Sequence, residues 1–179
     1  VGIKIDVYGF DTGSGMPKSN DYRDLPYVWN PGFFLMDVPK LKSKLTSVEL
    51  ILGDVNDTIA SFLKREELLP IGFVSFDLDY YSSTKAAFEV FQGNSESMLP
   101  RVFCYFDDCI GGDHEIHSQF AGELLAIAEF NRQHKDRKID KINGLRYKRI
   151  IDAMWTEVTY VLHVFDHELY CNFINPVED

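Results

Sequence analysis

The sequence predicts an α/β domain built on a mostly parallel sheet with helices on both faces. Three observations lead there. Short apolar runs alternate with amphipathic stretches along most of the chain. Nearly every run ends in an acidic residue or a turn, as strands of a helix-covered parallel sheet do. The tail then changes in kind: apolar runs at 155–165 (WTEVTYVLHVF) and 169–174 (LYCNFI) are joined by only Asp166, His167 and Glu168. So short a link implies an antiparallel hairpin, because a parallel crossover needs a dozen or more residues.

Each element has its own signal. Residues 3–10 (IKIDVYGF) alternate like a strand and stop at Asp11-Thr12-Gly13-Ser14-Gly15. A loop with Pro17, Pro26 and Pro31 follows, and Asp37 can cap a helix that tolerates Pro39 in its first turn. Residues 48–52 (VELIL) read as the second strand. Asn56 or Asp57 then caps a helix to about Arg65, with Ile59, Phe62 and Leu63 at helical spacing. Residues 71–76 (IGFVSF) form the third strand. Ser82 or Ser83 opens the next helix, in which Thr84, Ala87, Phe88 and Phe91 share a face and after which Gly93 ends it. The fourth strand, 101–106 (RVFCYF), runs into Asp107 and Asp108, and a long helix spans about 118–134, marked by Phe120, Leu124, Ile127 and Ala128.

At 179 residues and 45% hydrophobic content the chain suits one domain with a sizeable core. The net charge of −10, with 18 basic residues against 28 acidic, argues against nucleic acid as a partner. No apolar run is long enough to span a bilayer, and the start lacks the pattern of a secretory signal, so neither a membrane partner nor export is expected. Cys104, Cys109 and Cys171 match no zinc spacing and read as reduced packing residues, which points to the cytoplasm.

The chemistry lies at the strand ends, where open parallel sheets bind ligands. Asp11 follows the first run, Asp54 the second, Asp77 and Asp79 the third, Asp107 and Asp108 the fourth. Single acids there are often helix caps, but Asp77, Asp79, Asp107 and Asp108 form pairs after two separate strands. Carboxylates converging on one edge repel one another unless a cation neutralises them, and such hard oxygen ligands suit Mg²⁺, Mn²⁺ or Ca²⁺. His114 and His117 lie just beyond and could touch substrate or metal, although exposed histidines at a helix start are commoner. Tyr22, Tyr27 and Trp29 in the proline-rich loop are more simply loop anchors than a lid.

Asp77, Asp79, Tyr81, Ser83 and Thr84, followed by Asp107 and Asp108, match the strand-end signature Asp-x-Asp-x-Tyr-x-Ser-Thr and the paired acids of the macrocin O-methyltransferase family, which this sequence resembles. The resemblance implies a Rossmann-like class I methyltransferase sheet and an S-adenosylmethionine-dependent O-methyltransferase acting on a small-molecule hydroxyl. It implies a divalent metal, Mg²⁺ first, on Asp77, Asp107 and Asp108, with Asp79 as general base. It also implies that Asp11 holds the cofactor ribose and Asp54 faces its adenine. The family's first strand and glycine-rich cofactor turn have no counterpart before Asp11. That makes 3–10 the second strand and the chain an N-terminally incomplete domain, whose missing strand belongs between 3–10 and 71–76.

Two other readings compete. A haloacid-dehalogenase-like phosphatase shares the appearance of Asp77-Leu78-Asp79 and Asp107-Asp108, but it wants Thr or Val where Tyr81 stands and further motifs between the two acid sites. A non-catalytic methyltransferase-fold binding module would explain the missing turn but not the paired aspartates.

Overall fold

The computed structural model describes residues 2–148 and 150–174. β1 (Val7–Asp11) and β2 (Val48–Leu52) form a parallel pair with Phe10 opposite Ile51. Between them, Asp37 caps α1 (Val38–Lys42) by accepting from the Lys40 amide, with Pro39 in the first turn. α2 (Val55–Phe62) follows β2 and leads to β3 (Ile71–Phe76). Its cap is Asp54, not Asn56 or Asp57: the carboxylate accepts from the Asn56 amide at 2.8 Å.

The larger sheet runs β3, β4 (Met98–Phe106), β6 (Thr159–Val164), β5 (Arg137–Lys141). β3 and β4 are parallel, whereas β6 is antiparallel to both of its neighbours. α3 (Tyr81–Ala87), which continues as a 3-10 turn over Phe88–Phe91, and α4 (Gly122–Gln133) cover one face. Alternation supplies that face: Phe76, Val102, Cys104, Phe106, Leu162 and Val164 point into it and are essentially without exposure. Their aromatic members interlock with the helices. Phe76 stacks on Phe106 at 4.6 Å between ring centres, and Phe88 meets Phe130 edge-on at 5.4 Å. On the other face, the registered neighbours Phe73 and Phe103 are more than half exposed.

The antiparallel C-terminal pair is present, but its strands differ from those expected. Residues 155–165 divide into the short helix α5 (Trp155–Val158) and β6, and 169–174 contain no strand. Both edges of β6 are already taken by β4 and β5, so the segment after Val164 folds into successive turns, closed by His167 N–H to Val164 O and Tyr170 N–H to His167 O. Tyr170 turns back onto the sheet, beneath the Arg101 guanidinium and edge-on to Phe165. β5 (RKIDK) was missed because Ile139 is its only apolar residue. The Asn131 side chain secures it, pairing with both the N–H and the carbonyl of Ile139.

Three smaller corrections concern helix and strand ends. The first strand covers Val7–Asp11, leaving Ile3 and Ile5 exposed. α3 starts at Tyr81, before the serines. α4 starts at Gly122, which leaves Phe120 outside the helix and 80% exposed. The buried stripe of α4 is instead Glu123, Ala126, Ile127 and Phe130.

Among the described residues β1 pairs only with β2 and β3 only with β4, so residues 3–10 do not adjoin 71–76 in one sheet. Phe10 nevertheless packs against the main core. No helix among the described residues is long and apolar enough to cross a membrane.

Candidate active site

The segment after β3 turns sharply. Asp79 has φ +56, in the left-handed region that Asp and Asn tolerate best among residues with a side chain, and Tyr80 N–H bonds to Leu78 O across it. The turn is held from outside by the proline-rich loop. Asp24, 1% exposed, accepts from the Ser82 amide, the Ser82 hydroxyl and the Ser19 hydroxyl, and so caps α3 in place of Tyr80, which offers no side-chain cap. Tyr80 OH donates to Pro17 O, and Arg23 lies over the Tyr81 ring at 4.3 Å. Tyr81, prominent in the sequence signature, belongs to a network with Arg23, Lys85 and Glu129. Tyr27 also anchors the loop, donating to Glu115 O, whereas Tyr22 is exposed.

The bracing brings three carboxylates together. Oxygens of Asp77, Asp79 and Asp108 all lie within 4.8 Å of one another at the C-terminal edge of β3 and β4. Asp108 Oδ2 accepts from the Asp79 amide at 2.9 Å. Asp107 stands outside this group, its carboxylate accepting from Tyr105 OH at 2.9 Å, so the triad contains Asp79 where Asp107 was expected. Asp107 is still close enough for its charge to act on Asp77, Asp79 and Asp108.

Electrostatics mark the same place. Burial, then the charge of Asp108, pushes Asp79 up to about 8. Asp77 and Asp108 are raised too, burial again leading; Asp11 is close enough for its charge to contribute at Asp77. Among the described residues no Lys, Arg or His forms an ion pair with any of these acids.

Sequence reasoning missed Glu123. Its side chain has no exposure, Oε2 accepts from the Asp108 amide at 3.1 Å, and Oε1 is buried without a partner. Burial and then Asp108 raise its carboxyl well above the ordinary range. The signal was available: an acid at the first position of an i, i+3, i+4, i+7 stripe otherwise made of Ala126, Ile127 and Phe130.

Asp11 ends β1 and folds over its own turn, Oδ1 accepting from the Gly13 amide at 2.6 Å. Gly15, at φ +79, admits no side chain, since a Cβ would sit 2.5 Å from Phe33 O. Asp54 caps α2, as described. His117 is paired with Glu115 and His114 is largely exposed; neither joins the triad. Cys104 and Cys109 are buried with thiols pushed up by burial, consistent with packing roles.

No family model matches the sequence, and no curated protein matches it. Among solved structures, the chain is similar to CalS11, a calicheamicin methyltransferase, at 23% identity over 90% of this chain and 61% of that one, with a TM-score of 0.56. An apo structure of CalS11, described as a TDP-rhamnose 3'-O-methyltransferase, aligns at 21% identity over 90% of this chain and 59% of that one, with a TM-score of 0.46. The chain thus spans about three-fifths of the length of the solved protein it resembles. Its mixed sheet, with parallel strands on one side and an antiparallel pair on the other, belongs to a fold like that of CalS11.

Proposed function

We propose that the protein is an S-adenosylmethionine-dependent O-methyltransferase acting on a small-molecule hydroxyl, with a divalent cation held by Asp77, Asp79 and Asp108. The observation that carries this reading is the convergence of those carboxylates within 4.8 Å, without a paired side-chain cation among the described residues, at the ligand-binding edge of a methyltransferase-like fold. The donor set fits the cation, since every ligand atom it offers is a carboxylate oxygen. Mg²⁺ or Mn²⁺ there would polarise the acceptor hydroxyl and lower its pKa.

The chain's own residues divide the remaining tasks. Asp77 and Asp108 would hold the cation, which when bound would orient the acceptor. Asp79 is the general base of the reading, its carboxylate standing beside those of Asp77 and Asp108. Asp107 and Tyr105 lie at the rim. Asp11 and Asp54, at the ends of β1 and β2, are assigned to the ribose and adenine of the cofactor, which supplies the methyl group.

CalS11 is described as acting on TDP-rhamnose, so a sugar hydroxyl is the acceptor class to test first. The test is calorimetric binding of S-adenosylhomocysteine to the intact protein, with methyl transfer to sugar-nucleotide acceptors measured with Mg²⁺ and with chelator. Binding and chelator-sensitive transfer are expected. Absence of binding overturns the methyltransferase reading, and transfer indifferent to chelator overturns the metal.

A further inference from the structure

Glu123 has no task in the chemistry above, and its placement is costly. A carboxyl without exposure, with one oxygen unpartnered, is strongly disfavoured against an apolar side chain in the same stripe. It sits in the first turn of α4, directly after Gly122, whose φ of +61 swings the chain into the helix beneath Leu25. From there its Oε2 reaches the amide of Asp108. That amide belongs to the 3-10 turn Asp107–Cys109, which has no side-chain cap of its own and in which Asp108 departs from helical geometry at φ −93, ψ 25. The Asp108 carboxylate in turn accepts from the amide of Asp79. A continuous path therefore runs from α4 through Glu123 to the main chain of Asp108, then through its carboxylate to the left-handed turn at Asp79.

Resting on the metal reading above, we propose that Glu123 is a positioning residue of the acidic centre: by accepting from the Asp108 amide it fixes where the Asp108 carboxylate stands toward both Asp79 and the cation. Glu123 is not itself one of the gathered ligands, which are Asp77, Asp79 and Asp108. Groups one step removed from a metal commonly matter this way, orienting the ligand rather than binding.

Two variants of the intact protein test it, with Mn²⁺ titrated calorimetrically in the absence of substrate and exchange of the Asp108 amide followed by NMR. E123Q keeps an acceptor oxygen at the same reach, so Mn²⁺ affinity and amide protection stay close to those of the unsubstituted protein. E123D keeps a carboxyl but withdraws the acceptor by one methylene, so Mn²⁺ binding weakens on the order of 10- to 100-fold and the Asp108 amide exchanges faster. Unchanged Mn²⁺ affinity in E123D, even with a lower melting temperature, overturns the positioning role alone. So does an E123Q as weak as E123D, since the carboxyl itself rather than an acceptor at that reach would then govern. An unsubstituted protein that binds no Mn²⁺ overturns the metal reading and this inference with it.

Discussion

The two sheets are built from comparably apolar sequence but reach different depths. In the larger sheet Val102, Cys104, Phe106, Leu162 and Val164 have no exposure, whereas β1 and β2 contain no fully buried residue. The difference comes from coverage: α3 and α4 close one face of the larger sheet, while among the described residues β1 and β2 hydrogen-bond as strands only to each other and rest chiefly on Phe62 of α2, with Phe10 reaching the main core. The proposed metal ligands thus hang on the well-packed part, and the proposed cofactor residues Asp11 and Asp54 on the thinner part. A site divided in this way should be separable by mutation.

The largest expected effect concerns packing. Phe106→Ala removes a ring stacked on Phe76 and edge-on to Phe88 and Tyr160, so it should cost about 3–5 kcal/mol in urea denaturation. Leu52→Ala, at a side chain 38% exposed, should stay within about 1 kcal/mol. Equal costs would remove the contrast between the sheets. Next comes the centre itself. Asp108→Asn keeps an oxygen able to accept from the Asp79 amide but loses the charge, so methyl transfer and Mn²⁺ affinity should fall together by roughly 100-fold or more, with S-adenosylhomocysteine binding nearly unchanged. Metal dependence like that of the unsubstituted protein would sink the assignment. A smaller effect is expected at the other sheet: Asp11→Ala should weaken S-adenosylhomocysteine about 10-fold and leave Mn²⁺ alone. Asp11→Asn separates the two tasks of that side chain, since it retains the acceptor for the Gly13 amide. If Asp11→Ala weakens Mn²⁺ as much as Asp108→Asn does, the halves are not separate.

What was legible in the sequence follows the same division of forces. β2 and β3 appear within the expected limits because both are short apolar runs closed by a turn. β5 was hidden because side-chain bonds from Asn131, rather than apolar alternation, hold it in place. Residues 169–174 read as a strand from composition, but pairing is a tertiary property and β6 had no free edge. At the site, the sequence placed the acids at one edge but not which of them face one another. Asp79 entered the triad, and Asp107 left it, through turn geometry that no spacing encodes. Asp24 and Glu123 escaped notice because each acts across a long sequence gap, on Ser82 and on the Asp108 amide respectively.

The smallest expected effect is a pH dependence confined to the acidic centre. The Asp79 carboxyl is raised from 3.8 to about 8 in the folded chain, burial being the main cause. A carboxyl raised on folding binds more protons in the native than in the unfolded state between those values, so its contribution is fully present below about pH 4 and is lost as pH rises through about 8. Asp77, Asp108 and Glu123 are displaced in the same direction. Acids elsewhere are shifted the opposite way, among them Asp21 and Glu49 through their arginine partners, so total stability against pH mixes the two signs. The increment from a saturating divalent cation isolates the centre, because the cation binds the ionised carboxylates and displaces the protons they would otherwise hold. The rise in melting temperature on adding Mn²⁺ should therefore grow from pH 5 to pH 8. Asp79→Asn, which the left-handed backbone tolerates, should flatten that growth. An increment of constant size across the range, in a protein that binds Mn²⁺, would mean that the cation sits away from the gathered carboxylates of Asp77, Asp79 and Asp108.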